Sequence, residues 1–178
     1  MPMNVNVDGE IKDVLALWRE GSDIKMVDQR KLPHSFEVIT LKNHHETAKA
    51  IKTMVTRGAG SIGCAAGFGM AQAAMEAADL PEAEFLKYLD DAAETIRKTR
   101  PTAANLFKAV DRCLTAADWG KVNVRVERVV KAADLILQDD IKASIAIGKA
   151  GAKIIKDGFK FMTHCNAGAL AYIDQGTA

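Results

Sequence analysis

From Gly58 to Met75 the chain carries no charged residue and is built chiefly from Gly and Ala, interrupted by Ser61 and Gln72. Such a stretch is too weakly apolar to favour a bilayer, so it reads as a buried, tightly packed helix. Gly63 and Gly67 lie one helical turn apart, a spacing that lets a neighbouring helix come close. With 178 residues and 48% hydrophobic content, the chain is long enough for one sizeable core and lacks the composition of a disordered protein. Its 24 basic and 23 acidic residues are scattered, leaving a formal charge of +1 and no basic face for nucleic acid or an anionic membrane. A small anionic metabolite stays open as a partner. Asp8 and Glu10 follow soon after Met1 with no apolar segment between, so no signal peptide is expected. Cys64, Cys113 and Cys165 are odd in number and widely spaced, which suits neither a metal cluster nor a disulfide framework and points to a reducing cytoplasm.

Ile11, Val14, Leu15 and Trp18 recur at helical spacing before Gly21 and predict a short helix, whereas Ile24 to Val27 and Phe36 to Leu41 predict strands on either side of Pro33. From His45 onward the helical period dominates, with Ala48, Ile51 and Val55 first, then the segment from Gly63 to Ala78. Pro81 with Glu82 and Glu84 opens a helix striped by Phe85, Leu89, Ala92 and Ile96. Another, from near Thr102, turns Leu106, Val110, Cys113 and Ala117 inward. After Gly120 comes a helix with Val126, Val129, Val130, Ala133, Ile136 and Leu137, and a last one is expected from Asp139 or Asp140 to Gly158. The fold class expected is therefore α+β, with residues 1–157 a mostly helical N-terminal domain carrying a few short strands. Beyond it, Phe159 to Met162 reads as a strand followed by the polar turn Thr163-His164-Cys165-Asn166-Ala167-Gly168 at a helix start, the way α/β folds expose reactive residues. A lone strand needs a parallel neighbour, so residues 158–178 are expected to begin a truncated second domain whose remainder is missing or comes from another chain.

Three segments carry candidate chemistry. In Arg57-Gly58-Ala59-Gly60-Ser61-Ile62-Gly63 an arginine meets a glycine-rich helix start, where backbone N–H groups, the helix dipole and a bidentate guanidinium all suit a phosphate; close helix packing is the competing use of these glycines. In Thr99-Arg100-Pro101-Thr102, proline sets the approach to a helix that Thr102 can cap, leaving Arg100 just outside its end as a second phosphate ligand or a solvated cation. Cys165 sits among polar neighbours at the proposed helix start, where a thiol can act as proton carrier or nucleophile, unlike Cys64 and Cys113 in apolar helical patterns. His34 reads as a loop residue, His44 and His45 as surface residues unsuited to a metal pair, and Asp28-Gln29 as a turn or cap beside a strand.

The order and spacing of four segments resemble the methylthioribose-1-phosphate isomerase family, relatives of ribose-1,5-bisphosphate isomerases and of regulatory subunits of the translation initiation exchange factor. They are Asp28-Gln29-Arg30-Lys31-Leu32-Pro33, the segment from Arg57 to Gly63, Arg100-Pro101-Thr102-Ala103-Ala104-Asn105-Leu106, and the segment from Thr163 to Gly168. The resemblance implies a helical N-terminal domain joined to a Rossmann-like C-terminal one, with the active site between them and a homodimer as assembly. It implies that Arg57, Gly58 and Ala59 bind substrate, that Arg100 holds its phosphate, and that Cys165 is the catalytic cysteine. The family's catalytic aspartate and further phosphate ligands lie beyond Ala178, so the chain alone is expected to be a poor enzyme needing a complementary C-terminal half. The implied reaction converts an aldose 1-phosphate into the ketose 1-phosphate, most simply 5-methylthioribose 1-phosphate in methionine salvage. One acid near the ring oxygen and one group near C2 suffice, with no metal and no organic cofactor. Gly60 stands where methylthioribose-1-phosphate isomerases commonly carry proline, which leaves ribose-1,5-bisphosphate or another ribose phosphate open as substrate. A non-catalytic regulatory subunit of the initiation-factor type is the alternative from a different class.

Overall fold

The structure is a computed structural model, and it describes residues 3–7 and 9–177. Two antiparallel units open the chain. In the first, β1 (Met3–Val7) pairs with β2 (Glu10–Val14) around Gly9 at φ 89°. In the second, β3 (Leu17–Glu20), β4 (Asp23–Val27) and β5 (Val38–Leu41) form a sheet in that order. The helix expected over Ile11 to Trp18 is thus replaced by strands. Gly21 adopts φ 62° in the tight turn that folds β3 onto β4, and cross-strand pairing there outweighs the coincidental helical spacing. The strands at Ile24–Val27 and within Phe36–Leu41 form as expected.

The helices are α1 (His44–Lys52), α2 (Ala59–Glu76), α3 (Glu82–Arg97), α4 (Ala104–Ala116) and α5 (Val122–Gly151). Every residue of α2 from Gly60 to Ala74 is buried, because all four other helices pack on it. Its glycines set the spacing. A Cβ on Gly63 would lie 3.1 Å from Asn105 of α4, one on Gly67 3.0 Å from Ile136 of α5, and one on Gly69 3.0 Å from Ile96 of α3 and 3.2 Å from Thr47 of α1. Larger side chains at these places would hold each partner off and open voids along the helix.

Those contacts also fix direction. Gly63 meets Asn105 while the Gly67 carbonyl accepts from Cys113, so α2 and α4 run the same way and start at the same end. By contrast Gly60 meets Asp140 and Gly67 meets Ala133, so α5 runs antiparallel to both. The single 30-residue α5 replaces the two helices expected after Gly120. No glycine or proline interrupts it at Asp139-Asp140, and Arg112 of α4 clasps Asp139 from outside at 2.7 Å. It ends at Gly151, short of Gly158.

Two buried polar groups brace the core. Gln72 of α2 donates to the carbonyls of Ser22 (3.0 Å) and Leu41 (2.9 Å) and accepts from Thr47 Oγ1 at 2.6 Å, joining sheet, α1 and α2. His44 was expected at the surface yet is 2% exposed. Standing first in α1, it meets the end of α2, where its N–H donates to Glu76 at 2.9 Å and its ring lies 2.5 Å from the same carboxylate. Tyr88 also donates to Glu76, at 2.8 Å. Burial raises the Glu76 carboxyl, but these hydrogen bonds outweigh it and hold the group below its ordinary range. His45 is exposed, as expected.

Phe159 to Met162, expected as a strand, forms none. With no strand beside it among the described residues, its backbone lacks a ladder and its side chains face outward, Phe161 63% and Met162 98% exposed. The chain then returns to the helices. Gly168 leads a short 3₁₀ turn (Ala169–Ala171), and Ala171 and Ile173 are buried. No helix is long and apolar enough to cross a membrane among the described residues.

Replacing Gln72 by leucine removes its hydrogen bond to the Ser22 carbonyl and leaves the buried Leu41 carbonyl and Thr47 hydroxyl without this partner. Gln72→Leu is expected to lower unfolding stability by about 2 to 4 kcal/mol in urea titrations at neutral pH.

Candidate functional site

The start of α2 gathers most of the residues singled out in the sequence. Gly58, at φ 102°, is its N-cap, and a Cβ there would collide with Ala171 of the returning segment. Ser61 Oγ and Gln29 Nε2 both donate to the Leu170 carbonyl, at 2.7 and 3.0 Å, while Ala16 N–H donates to the Ile173 carbonyl at 2.8 Å. Arg57 donates through Nη2 to the Gln29 carbonyl at 2.8 Å and is otherwise exposed. Arg57, Gly58, Ser61, Gln29 and the segment after Cys165 therefore form one connected network. Cys165 itself is exposed, at φ 64°, five residues ahead of Leu170.

Arg100 stands four residues ahead of α4, at the end of the helical layer where α2 also begins. Thr102 does not cap this helix. The N-cap is Ala103, because the chain first closes a turn in which Ala103 N–H donates to the Arg100 carbonyl at 3.0 Å. Among the described residues neither α2 nor α4 has a side-chain cap or an acidic residue in its own first turn, so the N–H groups of both starts present positive ends, and the acid set against the first turn of α2 is Asp140 of α5, beside Gly60. Arg100 adds to this. Its Nη1 is buried with no hydrogen-bond partner among the described residues. A buried guanidinium nitrogen is costly unless something accepts from it. Like-signed ends converging in this way suit an anion.

The remaining candidates have structural duties. Asp28 is buried and accepts from Arg30 N–H (3.1 Å), Nε (2.8 Å) and Nη2 (2.6 Å). That pairing, against the cost of burial, holds its carboxyl below the usual range. His34 is an exposed loop residue. Cys64 and Cys113 are core residues whose thiols burial pushes up, Cys113 to about 12. No group of three or more metal-ligating side chains lies close together among the described residues.

Two participants escaped the sequence reading. Ser61 reads in the sequence as part of a glycine-rich turn, and its role in holding Leu170 depends on a contact between residues 109 apart. Asp140 was weighed only as a helix start, yet it lies inside α5 with Oδ2 buried and unpartnered among the described residues. Burial raises its carboxyl to about 6. The available signal was an acid in register with Ala133, Ile136 and Leu137, on the stripe that faces inward.

Two uncapped helix starts beside an unsatisfied guanidinium define a helical domain suited to a small anion. The chain belongs to the initiation factor 2 subunit family, which it matches over residues 55–175. It is 43% identical over 165 residues to methylthioribose-1-phosphate isomerase 1 of Pseudothermotoga lettingae, covering 92% of this chain and 48% of that protein. Its fold is similar to that of 5-methylthioribose 1-phosphate isomerase from Pyrococcus horikoshii, with a TM-score of 0.85 and 35% identity over 92% of this chain and 46% of the other. It is also similar to subunit delta of translation initiation factor eIF-2B from A. fulgidus, with a TM-score of 0.81 and 35% identity over 92% and 48% of the two chains. The chain spans about half the length of the curated relatives it matches.

The raised Asp140 carboxyl sets a pH dependence. Unfolded aspartate releases its proton near 3.8, whereas folded Asp140 keeps it until about 6, so stability falls as pH rises through that window and levels off above it. Asp140→Asn lacks this fall. Between about pH 3.5 and 7 its stability relative to the parent is expected to improve by about 1 to 2 kcal/mol, after allowance for partial solvent access, in denaturant titrations across that range.

Proposed function

We propose that this chain is the phosphate-binding half of an aldose–ketose isomerase acting on a sugar 1-phosphate, with 5-methylthioribose 1-phosphate as the leading substrate. The observation that carries the reading is the buried, unpartnered Nη1 of Arg100 at the end where α2 and α4 begin without caps. A phosphate there satisfies the guanidinium and both helix ends at once. The names of the relatives supply the chemistry.

In this reading Arg57, Gly58 and Ala59 meet the substrate and Arg100 holds its phosphate. Opening of the glycosyl phosphate ring needs an acid at the ring oxygen. The ring oxygen takes that acid's proton as its bond to C1 breaks, hydrogen moves from C2 to C1, and the C2 hydroxyl gives up its proton to become the ketone, leaving C1 as the CH2 of the phosphate ester. Cys165 acts at or near C2, and an aspartate in a Rossmann-like C-terminal half supplies the acid. The exposed run from Phe159 to Met162 supports the pairing with that half, since it offers an unladdered backbone and apolar side chains. The assembly is a complex with the complementary half or a homodimer, in the cytoplasm. Similarity to the initiation-factor subunit favours one further reading, a regulatory protein that binds the sugar phosphate without turning it over.

Calorimetric titration with methylthioribose 1-phosphate, with and without a complementary C-terminal half, separates the two. Turnover to the ketose only in the mixture, abolished in Cys165→Ser while binding persists, is the expected result. Arg100→Ala is expected to weaken binding by about tenfold or more. Binding without turnover in the mixture would favour the regulatory reading, and absence of any phosphate binding would end both.

A further inference from the structure

Beside the start of α2, a crevice of about 310 Å³ opens between α2, α4 and α5. Gly60 and Cys64 line it from α2, Asn105 and Lys108 from α4, and Ile136 and Asp140 from α5. Gly60 lies in the first turn of α2, three residues past Arg57, and Asn105 lies five past Arg100. The crevice therefore begins within one helical turn, about 5 Å along the axis, of the two helix starts described above.

Its geometry depends on Gly60. A Cβ there would lie 2.8 Å from Asp140 Oδ2 and 2.9 Å from Cγ, and would collide with Oδ1. The carboxylate thus occupies the space that any side chain at position 60 would claim. The neighbouring acid, Asp139, is neutralised by Arg112. Asp140 has no such partner among the described residues, and its Oδ2 is sealed from solvent with nothing donating to it. An acid of this kind inside a helix, in a crevice that pairs Ile136 and Cys64 with Asn105, Lys108 and Arg112 of α4, carries a desolvation cost that alanine would avoid.

We propose that this crevice holds the sugar of the phosphate ester bound at Arg57 and Arg100, and that Asp140 accepts a hydrogen bond from one of its hydroxyls. The inference rests on the phosphate-site reading and adds to it a binding residue and the chemistry that residue reads. The apolar wall of Ile136 and Cys64 suits the carbon face of a furanose, while Asp140 and the Asn105 amide supply the polar contacts a polyol needs. A hydrogen bond to a charged acceptor in such a site corresponds to about tenfold in affinity.

The test compares two ligands on the chain by calorimetry, methylthioribose 1-phosphate and inorganic phosphate. The parent is expected to bind the sugar phosphate about tenfold more tightly than phosphate. Asp140→Leu should abolish that advantage with phosphate affinity unchanged, which also reports that the site is still folded. Asp140→Asn, which keeps an accepting oxygen, should retain part of it. Gly60→Ala, which displaces the carboxylate without removing it, should reduce the advantage as well. If Asp140→Leu keeps the full preference, or the parent shows none while still binding phosphate, the crevice does not hold the sugar. If the parent binds neither ligand, the phosphate-site reading fails too.

Discussion

The burial of α2 on all sides sets the arrangement of everything else. Four helices approach one axis closely only because Gly63, Gly67 and Gly69 present no side chains toward α4, α5, and α3 with α1. Close packing of this sort yields dispersion energy over many small contacts and leaves little room for adjustment, so the relative directions of the helices follow from which glycine meets which partner. The same-way alignment of α2 and α4 is a product of that packing. It brings two helix starts to one end of the domain.

Helix ends of like sign repel one another unless something negative lies between them or solvent screens them. Here neither helix has a side-chain cap or an acid in its own first turn among the described residues, Arg100 is partly buried nearby, and the negative group set against Gly60 is Asp140 of α5. The returning segment from Gly168 to Ile173 closes over the α2 end through Ser61, Gln29 and the contact of Ala171 with Gly58, which links the cysteine-bearing turn to the same place. Groups that a purely structural domain would satisfy internally are left with capacity to bind.

Much of the helical layer was legible. The apolar stripes of α3 and α4 and the uncharged run of α2 each match their burial closely, because the 3.6-residue period reports directly which face must leave water. The region from Ile11 to Trp18 differs, since its apolar residues at helical spacing also fit two short strands joined through Leu15 and Ala16, and hairpin pairing with the neighbouring strands β1 and β4 decides between them. The burial of His44 depends on its partner Glu76, 32 residues away. The break expected at Asp139-Asp140 rests on capping preference alone, whereas α5 runs through both acids, with Arg112 clasping Asp139.

By itself the sequence determined the helical character of the chain, the burial of α2, the glycine and arginine segments proposed to bind phosphate, and the family resemblance they carry in order. These are properties of local spacing and residue type, readable without knowing which parts touch. Tertiary structure alone decided that α2 and α4 begin at one end, that a buried nitrogen of Arg100 has no partner among the described residues, that Ser61 and Gln29 hold Leu170, and that Asp140 fills the space beside Gly60. Each of these is a contact between residues far apart along the chain. Such contacts depend on how whole helices pack, and no local pattern encodes them.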